Sequence, residues 1–392
     1  MKQSILLYFL FGVQIVGFSQ ELKKDTTQNL SGIDFYIHKE VTNATGEIEQ
    51  QLIELWKNYI LAGNFQDINS PYWSFENMKV PDENFWAIGI NTLNSRGYKV
   101  QCKIIGVFEV ENGYWSLISS FSHLDKDSGE IHLDVISTVY AKKINDKYLL
   151  ISSAEYLKTV FEHHKVGSIN YYVHPFHKFK IEEAERMQEF NVKMAKEFGV
   201  EPLVFDYFVA RNARDLARTW GYEYMNRMYN PTGKGGIASG RNMTIYSGNN
   251  SSDYPHELVH LYTYHVVPKE PHLWIGEGIA TFFGGKTDYS LHWHLLKLKA
   301  FLASNPQFDL SDISKLKMDI PNGEHVSDLR YVIGGLLMRN IYEKEGIKGL
   351  IEALKYGTKD EDFYQLLYDK LEVSRTKFDE YVKLKMKKYT EQ

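Results

Sequence analysis

The chain has 392 residues, of which 43% are hydrophobic, 14% aromatic and 24% charged. That length suggests more than one core, and the composition is that of a globular protein, which excludes wholesale disorder, collagen and a long coiled coil. Lys and Arg (45) against Asp and Glu (50) leave a net charge of −5, so no basic excess exists to neutralise a phosphate backbone, and the one cysteine, Cys102, excludes an internal disulfide and any Cys-rich metal site.

The first nineteen residues carry the pattern of a secretory signal peptide. Lys2 is followed by an apolar run from Ile5 to Phe18 broken by Gln14, with small residues Gly17 and Ser19 before Gln20. Cleavage near Ser19 and Gln20 and export to the periplasm or medium are expected. The run is short for a bilayer span, which needs ~20 apolar residues, and no later stretch reaches that length. Residues 21–42 read as a polar, flexible lead-in. Residues 43–62 read as an amphipathic helix, with Ile48, Leu52, Leu55, Trp56 and Tyr59 at three- and four-residue spacings and Gly63 as the stop.

From about 85 to 153 the period changes to two. Val100, Cys102 and Ile104 alternate with polar residues, Asn112-Gly113 signals a hairpin, and strands are expected over 131–140 and 148–151 around Asn145-Asp146. One helix followed by an antiparallel meander resembles, in architecture alone, the cone-shaped domains of the nuclear-transport-factor and cystatin type. The polar stretch 162–168 reads as a solvated linker, including His163 and His164, so a domain spanning 20–165 is expected to give way to a second spanning 166–392. Beyond it, strands are expected at 169–173 and 204–210, a helix at 181–198 ending on Gly199, and a short helix near Arg214. Residues 222–240 read as loops, 242–246 as a short strand, and almost everything from Pro255 onward as helix. The fold class expected is α+β: a helix plus curved antiparallel sheet, then a small sheet followed by a helical bundle.

The chemistry concentrates in His256-Glu257-Leu258-Val259-His260. Histidines four apart on a helix stack on one face, and both imidazoles can reach a single ion. Glu257 lies near that face and can take a proton from water activated by the ion without ligating it. Asp253 or Ser252 is the expected N-cap, with Pro255 in the first turn. A catalytic zinc needs a third protein ligand and an open position. Val266 and Thr263 stand where a metzincin would have histidine and glycine. Glu270 sits between Pro268 and Pro271, poorly placed to return. Glu277, in Trp274-Ile275-Gly276-Glu277-Gly278-Ile279-Ala280, opens a second apolar helix and can complete a two-His, one-Glu set for one Zn2+.

H-E-L-V-H followed, after sixteen intervening residues, by that glutamate resembles the gluzincin clan of zinc metallopeptidases, and within it the peptidase MA-like group related to thermolysin and aminopeptidase N. The likeness covers roughly 168–392. It implies a zincin-type α+β region, zinc on His256, His260 and Glu277, Glu257 as catalytic base, and a strand at 242–246 whose edge pairs with an extended peptide. Tyr331-Val332-Ile333-Gly334 is similar to the aminopeptidase tyrosine motif and implies that Tyr331 donates to the developing oxyanion. Two departures stand out. Thr281 occupies the position where many such sites have an aspartate supporting a zinc histidine, and the motif that captures a free substrate amine survives only as an echo in Gly235-Gly236-Ile237-Ala238. The expected activity is hydrolysis of peptide or protein substrates by an exported enzyme. A zinc-retaining scaffold without catalysis and a zinc hydrolase of non-peptide amides are the alternatives. His174, His177, His292, His294 and the basic terminus at Lys383, Lys385, Lys387 and Lys388 are expected to be structural or solvated.

Overall fold

A computed structural model describes residues 31–44, 46–63, 65, 70–74, 98–225, 228, 233–286, 288–322 and 325–391. The expected signal segment therefore lies outside the described residues, as does all of 85–97. The fold is mixed α and β, with eleven α-helices and three open sheets among the described residues.

The first sheet is six-stranded. β1 (Asp34–Ile37) pairs in parallel with β2 (Val100–Glu109). β2, β3 (Tyr114–Leu124), β4 (Ile131–Ile144) and β5 (Lys147–Ile151) follow as an antiparallel meander. Alternation is visible in β2, where Val100, Cys102 and Ile104 are fully buried and Gln101 and Lys103 are exposed. Burial pushes the Cys102 thiol up to about 12, so it behaves as a small apolar residue. Helix α1 (Lys39–Ala44) precedes α2 (Glu47–Ala62), which buries Leu52, Ile53, Trp56, Tyr59 and Ile60 against the sheet. The Trp56 Nε1–H donates to Ser119 Oγ at 2.9 Å, tying helix to strand. α2 ends where Gly63 turns into the left-handed region at φ 69°.

Three readings of the sequence are corrected here. The polar lead-in contains β1. The polar stretch taken as a linker forms β6 (Glu162–Val166), an antiparallel partner of β7 (Ile169–Val173). His163 stacks on Tyr172 and His164 on Phe179, so these rings are occupied by neighbours across and beside the hairpin. The Gly- and Tyr-rich stretch after 222 contains two strands. β9 (Tyr222–Met225) pairs with the first half of β4, alongside β5 on its second half, and Tyr222, Met225 and Met228 join the first sheet's core. β10 (Gly236–Ser239) joins the second sheet. Composition misleads in both places because the pairing partner, not the local sequence, makes the strand.

The second sheet runs β10, β11 (Thr244–Ser247), β8 (Phe205–Val209), β7, β6. Around it lie α3 (Ser153–Leu157), α4 (Ile181–Phe198) and α5 (Ala213–Thr219). The helical part comprises α6 (Pro255–Val266), α7 (Leu273–Gly284), α8 (Leu291–Ser304), α9 (Leu329–Ala353, broken at Gly346), α10 (Asp360–Leu371) and α11 (Phe378–Thr390). A two-stranded hairpin, β12 (Asp319–Asn322) with β13 (His325–Asp328), interrupts what the sequence suggests is continuous helix. One core spans this sheet and these helices, and includes Leu258, Val259 and Leu261 of α6, Ile275 and Ile279 of α7 and Val332 and Ile333 of α9. No helix among the described residues is long and apolar enough to cross a membrane.

Helices α7 and α9 meet at two glycines. A Cβ on Gly278 would stand 2.6 Å from the Gly334 carbonyl carbon, and one on Gly334 would stand 2.5 Å from the Trp274 oxygen. This approach holds the first turn of α9 against the glutamate-bearing turn of α7.

Candidate metal centre

α6 begins at Pro255, whose fixed φ suits the first helical position. Tyr254 is the N-cap and makes no side-chain cap bond; Asp253 instead pairs with Arg186 at 2.9 Å, and the Ser252 N–H donates to Glu183. The helix is buried on nearly every side of the motif, with His256 and Glu257 only 3% and 5% exposed. Its partner α7 starts on His272, whose Nδ1 accepts from the Trp274 N–H, and carries Glu277 one turn in.

These two helices bring three ligand atoms together. His256 Nε2 lies 3.1 Å from Glu277 Oε2, His260 Nε2 lies 3.5 Å from the same oxygen, and the two imidazole nitrogens are 3.3 Å apart. Tetrahedral ligands about 2.0–2.1 Å from a shared zinc sit roughly 3.3–3.4 Å from one another, which is this triangle. Among the described residues, this is the one group of three or more His, Cys, Asp or Glu side chains gathered closely enough to share an ion. Glu270, exposed in the loop between the helices, is not part of it.

The tautomer of His256 follows from its other nitrogen. Nδ1 is 2.6 Å from the Gly285 carbonyl oxygen, which can only accept, so Nδ1 carries the proton and Nε2 presents its lone pair to the triangle. The Gly285 carbonyl thus orients the His256 ring, the role for which the resemblance read from the sequence implies an aspartate where this chain has Thr281. Thr281 itself is buried, and its Oγ1 has no hydrogen-bond partner among the described residues. The close approach needs glycine twice. A Cβ on Gly284 would stand 2.6 Å from the His256 backbone nitrogen, and Gly285 sits at φ 72° with the Tyr289 backbone oxygen 2.3 Å from where its Cβ would be. Sequence reasoning misses this pair; the signal available there is two adjacent glycines, Gly284-Gly285, closing the apolar helix that carries Glu277.

Charges around the triangle are strongly coupled. Burial alone would lower the His260 pKa below its ordinary 6.5, but the Glu277 carboxylate overrides that and pushes it up to about 9. Burial would raise Glu277, but His260 and His256 hold its carboxyl well below the usual carboxylate range. Burial raises Glu257, with Glu277 adding to it, against a lowering pull from both histidines. Glu257 makes no part of the triangle, and the Ala238 backbone N–H acts to lower its pKa, favouring the charged carboxylate.

Ala238 lies on β10, which stands at one edge of its sheet with no further strand beside it among the described residues. The strand expected to offer an edge to substrate, 242–246, is β11 instead, flanked by β10 on one side and β8 on the other. The edge beside the site belongs to Gly236–Ser239, part of the Gly-Gly-Ile-Ala stretch. A Cβ on Gly236 would stand 2.5 Å from the Tyr254 ring, so glycine lets the strand close down here.

Tyr331 lies in the first turn of α9, which Asp328 caps through the Arg330 N–H at 2.8 Å. Its ring is near-parallel to that of His256 at a centroid distance of 5.8 Å, and Tyr254 lies similarly at 6.0 Å. Burial and the nearby Glu277 and Glu257 carboxylates raise the Tyr331 phenol far above its ordinary value, so it is a hydrogen-bond donor at any working pH. The other histidines have structural partners. His294 contacts Ser327 Oγ at 2.8 Å and the Lys286 oxygen at 3.1 Å, His292 the Tyr389 oxygen at 3.1 Å, and His177 the Asn250 Oδ1 at 2.6 Å.

No family model matches the chain, and no curated protein matches it. Among solved structures, it is similar to a crystal structure of a substitution mutant of an M1 zinc metallopeptidase from Deinococcus radiodurans, bound to a Tyr-Ser-Ala substrate. The identity is 10% and the TM-score 0.30, over 75% of this chain and 64% of that one. The chain therefore spans less than two thirds of that structure's length, and the functional reading rests on the site's own geometry.

Proposed function

We propose that this chain is a zinc-dependent peptidase that hydrolyses peptide bonds. The observation that carries this reading is the triangle of His256, His260 and Glu277, at separations of 3.1, 3.3 and 3.5 Å, with a buried glutamate beside it that belongs to no ion pair in the triangle. His256, His260 and Glu277 would hold the ion. When bound, it supplies Lewis acidity, which polarises a carbonyl and makes water acidic enough to attack near neutral pH.

The chain's own residues do the rest. Glu257 takes the proton from the attacking water and delivers it to the leaving nitrogen. Its raised pKa brings it closer to neutrality, where one group can serve as both base and acid. The Ala238 N–H steadies that carboxylate. Tyr331 directs its O–H at the oxygen on which negative charge develops. The edge of β10, which no strand covers among the described residues, offers main-chain groups to an extended peptide. On the pattern of residues 1–19 we read the protein as exported, with a cone-like domain built on the first sheet, β9 included, and a peptidase domain built on the second sheet, β6 included, and the helices that follow.

The scaffold alternative draws on the missing aspartate at Thr281 and on a first domain without catalytic signal; the Gly285 carbonyl, an orienting partner for His256, weakens the first of these and favours the peptidase reading. The test is Glu257→Gln. Zinc content, measured by elemental analysis, stays near one ion per chain, while turnover of a peptide library falls by about 10²–10⁴-fold. In the same assay Tyr331→Phe lowers kcat by about 10²–10³-fold with little change in KM. Turnover by Glu257→Gln at the parental rate would overturn the mechanism, and an undiminished kcat in Tyr331→Phe would remove Tyr331 from it.

A further inference from the structure

Directly after α7 the chain makes a tight turn. The Lys286 N–H donates to the Tyr289 oxygen at 2.8 Å, and the Tyr289 N–H returns to the Lys286 oxygen at 3.0 Å. The buried ring of His294 reaches that same Lys286 oxygen at 3.1 Å. The backbone of Lys286 is thus fixed on two sides, one residue after the carbonyl that orients His256. Its side chain runs back over the site, and the ammonium stands 3.6 Å from the centre of the Tyr331 ring.

This cation has a π-face but no salt bridge. Among the described residues no carboxylate oxygen lies within ion-pair distance of Lys286 Nζ. Burial lowers its pKa, and Asp328, Asp319 and Glu277 act on it only from a distance, with Arg330 opposing them. Asp328 is already engaged by Arg330, whose Nε donates to both of its oxygens at 3.0 and 3.1 Å. Glu277 faces the two histidines. A partly buried ammonium without a carboxylate partner is costly, and a cation–π contact offsets only part of that cost. The position is that of a point charge held ready for an anion from outside. A single lysine suits a carboxylate; phosphate sites gather several donors in a fork or nest.

We propose that Lys286 is a specificity residue that binds a carboxylate of the substrate peptide, seated beside Tyr331 within about three residues of the bond that is cut. The Tyr331 ring centre lies 5.8 Å from that of His256 and 3.6 Å from the ammonium, so the cation stands less than three Cα steps of ~3.8 Å from the His256 ring. The proposal deepens the peptidase reading and rests on it for the identity of the ligand. Two sources supply the chemistry: the C-terminal carboxylate of a short peptide, or an Asp or Glu side chain in a longer one.

The test measures binding, so that it does not depend on turnover. Zinc-loaded full chain carrying Glu257→Gln is titrated calorimetrically with trialanine and its C-terminal amide, and with acetyl-Ala-Glu-Ala-amide and its Gln counterpart. The acid of one pair binds about 10- to 100-fold tighter than its neutral partner, and the pair that shows this identifies the source. Adding Lys286→Met removes the preference while leaving the affinity for the neutral peptide within about twofold, and adding Lys286→Arg restores much of it. Three results overturn the proposal: no acid preference in either pair, a preference that survives Lys286→Met and so belongs to the metal, or equal weakening of acid and neutral peptides, as expected if Lys286 merely props Tyr331. A Lys286-dependent preference in a chain whose Glu257 form cuts no peptide would sink the peptidase reading and leave the carboxylate site standing.

Discussion

His260 carries a proton at neutral pH in the metal-free protein, because Glu277 pushes its pKa to about 9. The sign of the consequence is definite. Relative to an unfolded value of 6.5, the raised pKa stabilises the metal-free fold fully below pH 6.5, and that stabilisation fades as pH rises through 9. Glu277, depressed below its ordinary 4.5, stabilises the fold above that value and ceases to do so as pH falls through its folded pKa. Zinc needs the neutral imidazole, so it displaces the proton. Between pH 6.5 and about 9 the metal-free protein should lose stability while zinc affinity rises about tenfold per pH unit. Two measurements check this. The Tm gap between zinc-loaded and metal-free protein widens with pH over that window, and calorimetry in buffers of different ionisation enthalpy shows close to one proton released per zinc at pH 7. A gap that narrows with pH would contradict the assignment of His260 as the protonated ligand.

At the scale of elements, the site is as rigid as the contact between α7 and α9. Glu277 and Tyr331 sit on different helices, and the spacing between them is set where Gly278 meets Gly334. Gly334→Ala places a methyl group against the Trp274 carbonyl in a packed core, which forces the helices apart at a cost of about 1–3 kcal/mol. The expected outcome is a lowered Tm together with weaker zinc binding, since Glu277 moves with its helix. A Tm within a degree of the parent would show that the contact is looser than its distances imply. This scale also marks how far the sequence could be read. α4, ending on Gly199, and the β2–β5 hairpins follow from periodicity and turn residues, because their stabilising contacts are local or alternate simply. The gathering of His256, His260 and Glu277 was legible because helical spacing puts side chains four apart on one face and the apolar surround names the helices as core. β6, β10 and β12–β13 were not, since each is short, polar or glycine-rich and becomes a strand only beside a partner. The role of Gly285 was illegible for a different reason: a backbone carbonyl has no letter in the sequence.

Over the whole molecule, the two cores are not sequential. The chain leaves the first sheet after β5, builds β6 to β8 elsewhere, and returns through α5 to lay β9 against β4. Tyr222, fully buried there, closes that core from residues far downstream. The Gly221 oxygen accepts from the Thr138 N–H at the same junction, and a Cβ on Gly221 would stand 2.2 Å from the Thr138 oxygen. A fragment of residues 20–165 lacks all of this. It should unfold with low cooperativity and bind ANS, whereas the full chain should not. Sharp two-state melting of that fragment would show β9 to be dispensable.

The hold on His256 has a consequence for acid conditions. A carboxylate in that role would itself be neutralised as the medium acidifies, and the imidazole could then swing. An amide oxygen has nothing to titrate in that range. Acid should therefore strip the ion by protonating its ligands while leaving the ring's aim intact, so that reloading on return to neutrality meets a pocket already pointed the right way.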